Sequence, residues 1–368
     1  MKTIGIRTSL VAAATLAVCG LASAQSSAQL FGVVDVALQR GTGSVANKTQ
    51  LGNSGLTTSR LGFRGTEELG GGQWAGFWLE AGMNPDNGTG VGTNTNNQAS
   101  GYTPATSGSQ GLTFNRRSTL SLGGSWGELR VGRDFTPQYY NLNYEPTGAT
   151  GVGTAVNSTN IITGPTNTRA SNSISYFMPT TKGFFGQAQY YLGENASNVP
   201  NKSDGDGAGI RVGYQGGRYE IAAATSKTKY SAGNSKQSNI GGFYDFGVAK
   251  VLANYSHDEG LVQLPSGGTQ QLAKGNGWSL GTSVPYGNSE LRAGYSRYKV
   301  DVHGLGLDEP TAKKLMASYV YNFSKRTAMY GTVARVTNSG GSSTALLGAV
   351  TAANEHSTGF EAGIRHSF

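Results

Sequence analysis

Residues 135–169 read FTPQYYNLNYEPTGATGVGTAVNSTNIITGPTNTR, and they fit neither regular pattern. No apolar–polar alternation runs through them, no helical spacing repeats, and Glu145 is the one formal charge before Arg169. The flanking segments, Leu129 to Asp134 and Ser171 to Met178, read as strands. A run of this length without regular structure counts against its neighbours as strands unless the loop has a function of its own. The rest of the chain decides between those readings.

Toward the N-terminus, Lys2 and Arg7 form a positive region, Leu10 to Leu21 an apolar stretch, and Ala22-Ser23-Ala24 an A-x-A cleavage site. Residues 1–24 therefore read as a cleaved secretory signal peptide, and 25–368 as the expected mature chain. The apolar stretch is too short for a spanning anchor, and Val18 suits a lipoprotein cut at Cys19 poorly. Cleavage would remove Cys19, the only cysteine, and lower the formal charge from +8 to +6. The expected mature chain has neither disulfide nor thiol site, and it is large enough not to need staples. No later stretch approaches about 18 consecutive apolar residues, which excludes a helical membrane protein.

Glycine, at 57 of 368 residues, is more than twice its usual share, and tyrosine is abundant. Disorder is the simplest account of so much glycine, but period-two apolar residues argue against it. In Leu30 to Leu38 one parity carries Leu30, Gly32, Val34, Val36 and Leu38, and the other carries Asp35. Leu61 and Phe63 oppose Arg60 and Arg64; Ala75, Phe77 and Leu79 oppose Trp74, Trp78 and Glu80. A sandwich would bury the apolar parity against a second sheet, whereas a membrane barrel turns it toward lipid.

The connections discriminate. About sixteen such segments occur, and the links between them alternate between short and long. Leu69 to Gly72, Gly123 to Trp126 and Pro285 to Gly287 are short; Arg40 to Thr57, Asn84 to Gly111, Phe135 to Ala170 and His257 to Lys274 are long. Short turns on one side and long loops on the other mark an outer-membrane barrel. A strand of about ten residues, rising about 3.3 Å each and tilted about 40°, covers the roughly 25 Å apolar band. About sixteen strands leave an aqueous lumen. The fold expected is all-β: a sixteen-stranded antiparallel transmembrane barrel, with residues 135–169 folded inward to narrow it.

These residues resemble the trimeric Gram-negative general porins, most closely the beta-proteobacterial type. The resemblance rests on Phe31 to Asp35, Ser59 to Gly70, Phe114 to Arg117, Val131-Gly132-Arg133, Arg169 to Tyr176, Ser324 to Thr327 and the final Arg365 to Phe368, in order across the expected mature chain. It implies a homotrimer in the outer membrane of a Gram-negative bacterium, a third external loop forming an eyelet, and Phe368 as the signal for the barrel-assembly machinery. It also implies constriction arginines at Arg60, Arg133 and Arg169. Parity alone points Arg133 to lipid; the resemblance turns it inward where the strand ends. Two departures stand out: the third loop carries Glu145-Pro146-Thr147-Gly148 and little other acid, and Trp78 sits where a smaller polar residue is usual.

Arginine stays protonated throughout the working pH range, so Arg60, Arg133 and Arg169 form a positive wall, with Glu145 and Asp134 as expected counterparts. Asp35, Arg64, Trp78, Glu80, Arg117 and Arg130 share lumen parity and are expected to line the pore. Rings of side-chain charge set channel selectivity, and basic groups in excess predict an anion preference among small hydrophilic solutes and ions. Trp78 is a candidate stacking surface for sugars or aromatics. A substrate-selective channel and an adhesin or structural barrel are the alternatives. The four histidines, His257, His303, His356 and His366, show no metal spacing and no Ser/His/acid array, so no enzyme activity, metal or cofactor is expected. Lys48, Lys202 and Lys236 are candidates to touch lipopolysaccharide or anionic headgroups; no nucleic-acid partner is expected.

Overall fold

The computed structural model describes residues 27–98, 109–148, 150–231, 233–262, 271–302 and 308–368; the expected signal peptide lies outside them. The strands are β1 (Ser27–Gly43), β2 (Lys48–Asn53), β3 (Arg60–Gly70), β4 (Gln73–Asn84), β5 (Thr89–Val91), β6 (Ser109–Gln110), β7 (Arg117–Gly124) and β8 (Gly127–Phe135), then β9 (Arg169–Thr181), β10 (Phe184–Tyr191), β11 (Gly207–Gln215), β12 (Tyr219–Thr228) and β13 (Ser235–Asp245). They continue with β14 (Lys250–Val262), β15 (Gln271–Tyr286), β16 (Ser289–Val302), β17 (Thr311–Asn322), β18 (Thr327–Ser339) and β19 (His356–Ser367). Among the described residues these nineteen strands form one sheet. It closes where β1 pairs with β19, from Val33 opposite Ser367 to Gly43 opposite Ser357. The backbone amides of Gly32 and Phe368 each donate to the other's carbonyl at 3.1 Å, so the final residue completes the seam.

Sixteen staves make the barrel. The short β5 and β6 belong to the second external loop, and β2 is the upper half of the second stave. β1 pairs with β2 from Val36 to Gly41 and with β3 from Ser27 to Val33. Between those halves, residues 54–59 bulge out of register. The Asp35 carboxylate accepts the backbone N–H groups of Leu56 and Thr57 at 2.9 and 2.7 Å, replacing the ladder bonds they lack.

Burial is inverted relative to a water-soluble protein. Leu38 is 62% exposed while Asp35, on the neighbouring wall face, is 0% exposed. The same contrast recurs along β9 and β15, where Ile174 and Leu280 are exposed while Ser175 and Ser279 are buried. Apolar side chains facing out and polar ones facing in, with every ladder closed, is the arrangement that hydrocarbon demands.

Two expected long loops are shorter. Arg40 to Thr57 is largely strand, because β1 runs to Gly43 and Lys48–Asn53 returns along it. In His257 to Lys274, β14 likewise runs to Val262 and β15 begins at Gln271. In these extensions polar and charged residues such as Arg40, Lys48, Asp258 and Glu259 take ladder positions, which hides them from a reading based on apolar alternation.

The third loop, between β8 and β9, carries two short helices, α1 (Pro137–Leu142) and α2 (Val156–Thr159), and lies inside the barrel. Val152, Val156 and Ile162 pack with Tyr298, Met316 and Val336 of the wall and Leu346 of the last external loop, so the main apolar core lies between the loop and the wall. A Cβ at Gly281 would overlap the Pro146 ring, and one at Gly277 would overlap Asn157; glycine there lets the loop lie flush.

Candidate pore constriction

The loop is fastened to one side of the barrel by its own polar atoms. Asn141 donates to Ala222 O and Asn239 Oδ1 at 3.1 and 3.0 Å, and Arg211 Nε donates to Asn141 Oδ1 at 2.7 Å. Farther along, Val156 N donates to Ser296 Oγ at 3.0 Å and Asn157 donates to Asn254 Oδ1. Val152 N donates to Glu361 Oε1 at 3.0 Å, while Lys314 Nζ donates to Val152 O and Thr154 O at 3.1 and 2.6 Å. These ties span β11 to β19 and leave the wall of β1 to β8 uncovered. Tyr144, whose hydroxyl donates to Glu220, and Tyr140 are held neutral, the latter pushed up to about 12 by burial.

Between the loop and the bare wall is a cavity of about 570 Å³, bordered on the loop side by Tyr139, Tyr140, Asn143 and Glu145 to Gly148. On the wall side stand Arg60, Glu80 and Arg116, with Leu56 to Thr58 of the bulge, and Arg292 of β16, which is paired with Glu290 at 2.9 Å. Glu80 accepts from Arg116 Nε at 2.5 Å and lies 3.8 Å from Arg60 Nε. Two guanidinium groups share one carboxylate, so the cluster carries one positive charge in surplus.

Arg116 belongs in this group although parity hid it. It precedes β7 and escapes the strand's alternation, and its N–H donates to Glu80 O at 3.1 Å. The tandem Arg116-Arg117 was the available signal, since two successive arginines at a strand start place one on each side of the alternation.

The other expected site residues fall into three groups. Arg64, Trp78, Arg117 and Arg130 face a second cavity of about 370 Å³, nearer the short turns. There Arg130 is held by Glu128 at 2.9 Å and Asp134 at 2.5 Å, and Arg117 Nε lies 3.9 Å from Asp134. Asp134 thus sits on the wall and pairs with Arg130 and Arg117, where the sequence reading made it a counterpart of Arg60, Arg133 and Arg169. Neither Arg133 nor Arg169 borders the larger cavity. A register shift between Gly132 and Asp134, with Gly132 at φ 120°, lifts Arg133 out of strand parity. Its guanidinium donates to Asn115 O at 2.5 Å, Asn94 O at 3.2 Å and Ser171 Oγ at 2.8 Å, tying the second loop to the rim. Arg169 lies 4.3 Å over the Phe135 ring and donates to Arg116 O at 2.8 Å, so it supports the lining from behind.

Glu145 borders the cavity, but its carboxylate turns back into the loop. Oε2 accepts from Ala155 N at 2.5 Å, at the start of α2, and the residue is 3% exposed. The first N–H groups of a helix lack internal acceptors, which gives the buried carboxylate a use there. Asp35 is likewise spent on the bulge and on the Tyr330 hydroxyl, 2.5 Å away. Trp78 does face the lumen, yet Arg64 and Arg117, one from each neighbouring strand, lie over its ring at 4.9 and 4.6 Å. Those guanidinium groups occupy the surface that the sequence reading offered to sugars or aromatics.

A family model described as "Gram-negative porin" matches residues 9–341. "Outer membrane porin protein 32" of Delftia acidovorans is 36% identical, with 99% of this chain and 100% of that protein covered. An outer membrane porin protein of Bordetella pertussis is 28% identical over 88% of this chain and 93% of its own length. Among solved structures, the "Anion-selective porin from Comamonas acidovorans" superposes with a TM-score of 0.77 at 33% identity, covering 94% of this chain and 100% of its own.

Proposed function

Because this chain belongs to the Gram-negative porin family, we propose that it forms a homotrimeric, water-filled channel that passes small hydrophilic solutes and ions with a preference for anions. It is an outer-membrane β-barrel of the passive-channel class and not an enzyme. The anion preference is carried by one observation: the lumen's uncompensated charge is basic. Arg60 and Arg116 share Glu80. Nearer the short turns, Arg64 has only neutral hydrogen-bond and ring partners among the described residues. The acids Asp35, Glu145, Asp258 and Glu361 are at most 3% exposed. Low-dielectric walls focus such a field on a narrow water path. The match to a structure named anion-selective supports the same sign.

The trimer reading has its own support. Amphipathic aromatic rings favour the membrane–water boundary, and on β9 to β18 they are plentiful on the outer face: Tyr190, Tyr219, Tyr244, Trp278, Tyr286 and Tyr319 are exposed. The outer face of β1 to β8 carries Leu30, Leu38, Phe63, Phe77, Leu120 and Val131, with Trp126 at the turn between β7 and β8; tyrosine is missing from those exposed residues, as suits a wall that meets protein rather than headgroups. Phe368, on the seam and 43% exposed, is available to the barrel-assembly machinery. The deciding experiment is the zero-current potential of the reconstituted protein in a KCl gradient. An anion-selective sign is expected; a cation-selective sign rejects the preference, and absence of conductance rejects the channel.

A further inference from the structure

Below the constriction, the wall carries an alternating stack of guanidinium groups and aromatic rings that the constriction does not use. Phe31 packs edge-on against Trp78 with ring centres 5.1 Å apart. Arg64 lies 5.1 Å over Phe31 and 4.9 Å over Trp78, and Arg117 lies 4.6 Å over Trp78 from the other neighbouring strand. Trp78 Nε1 is itself held, donating to Glu80 Oε2 at 3.0 Å. Arg64 Nε and Nη2 both donate to Gln29 Oε1, at 2.9 and 2.8 Å. Among the described residues no carboxylate lies within ion-pair distance of Arg64. Arg64 stands four positions along β3 from Arg60, roughly 13 Å toward the short turns.

We propose that Arg64, held between Phe31 and Trp78, is a second anion-binding station on the short-turn side of the constriction, and that Trp78 is its positioning residue. An arginine stem that reaches into water samples many rotamers and spreads its charge; stacking on an aromatic face holds the guanidinium in place, and with Nε and Nη2 turned to Gln29 it is the Nη1 side that is left to an anion. The Glu80 carboxylate fixes the indole, so the same acid that binds Arg60 and Arg116 also sets the lower station. The ligands it would take are small anions, chloride and carboxylates among them, in transit through the lumen. This rests on the channel reading above and adds to it a position along the pore axis.

Position is what a reversed gradient reads. A fixed charge biases ion entry most from the dilute side, where the Debye length is about 30 Å at 0.01 M against about 10 Å at 0.1 M. A single channel, its orientation marked by one-sided maleimide labelling of Ser343→Cys in the last external loop, is exposed to 0.01 M and 0.1 M KCl (~tenfold) in both directions. The anion-to-cation permeability ratio is expected to be about twofold higher with the dilute solution at the short-turn mouth. Arg64→Gln and Trp78→Leu should both abolish that asymmetry, and Trp78→Phe should retain it. A symmetric wild type, or an Arg64→Gln channel as asymmetric as wild type, overturns the station while leaving the channel intact. A conducting Trp78→Leu channel with wild-type asymmetry overturns the positioning role. Should Trp78→Leu fail to assemble, Arg64→Gln decides alone. A wild type that conducts no current defeats the channel reading itself.

Discussion

The two halves of the inner wall use charge in opposite ways. On β11 to β19, Lys314 and Glu361 are consumed in fastening the third loop, Lys314 spending its protons on Val152 O and Thr154 O and Glu361 accepting Val152 N, while Arg292, which borders the open space, is compensated by its own partner Glu290 at 2.9 Å. On β1 to β8 the guanidinium groups of Arg60 and Arg116 remain at the edge of open space with a single acid between them. Both halves hold lumen-facing charge on strands of one barrel. What separates them is whether a loop lies on top, since a buried charge must be paired or hydrogen-bonded, whereas one facing water is left to act on ions.

That contrast can be broken most sharply on the open side. Arg60→Ala combined with Arg116→Ala leaves Glu80 without either cation and turns a local surplus of one positive charge into one negative charge. The anion-to-cation permeability ratio is expected to fall by about tenfold, read from the zero-current potential. A ratio within a factor of about two of wild type would place the selecting charge elsewhere.

The covered side answers through shape rather than sign. Gly281→Val should drive Pro146 off the wall and into the cavity, because packed interiors do not absorb extra methyl groups without displacement. Single-channel conductance is expected to drop about twofold with selectivity preserved; unchanged conductance would mean that the loop tip yields in another direction. Lys314→Met removes the donor to two buried carbonyls. Leaving such acceptors unsatisfied costs about 1–3 kcal/mol, and the expected result is earlier thermal dissociation and more frequent voltage-driven closures.

The smallest effect on ion flow is expected at Arg133. Its donors go to Asn94, Asn115 and Ser171, so Arg133→Gln should change the permeability ratio by less than about 1.5-fold. It should, however, make the second loop more susceptible to limited proteolysis. A change as large as that of the Arg60 and Arg116 pair would move Arg133 into the ion path.

Much of this was legible in the chain. The alternation at Leu30 to Leu38 and the sorting of short turns from long loops led to a closed barrel, because lipid admits one face pattern and no open edges. The structureless run of residues 135–169 marked the inward loop. Within the site, parity along regular strands put Arg60, Arg64, Trp78 and Glu80 on the inner face, while the place of Arg60 at the constriction came from the family resemblance. Parity did not reach Arg116, Arg133 and Glu145, for related reasons: Arg116 lies just before a strand, Arg133 lies within a register shift, and Glu145 sits in a loop, so none is bound by the period of two.

Along the regular strands the sequence by itself determined which residues face lipid and which face water, since that follows from a two-residue repeat and the solvent on either side. It also determined the surplus of basic over acidic groups. Only the tertiary structure decided which charges are spent and which are left over. Whether Glu145 meets an ion or the N–H of Ala155, and whether Trp78 meets a solute or two guanidinium groups, depends on residues distant in the chain that only closure of the barrel brings within hydrogen-bonding reach.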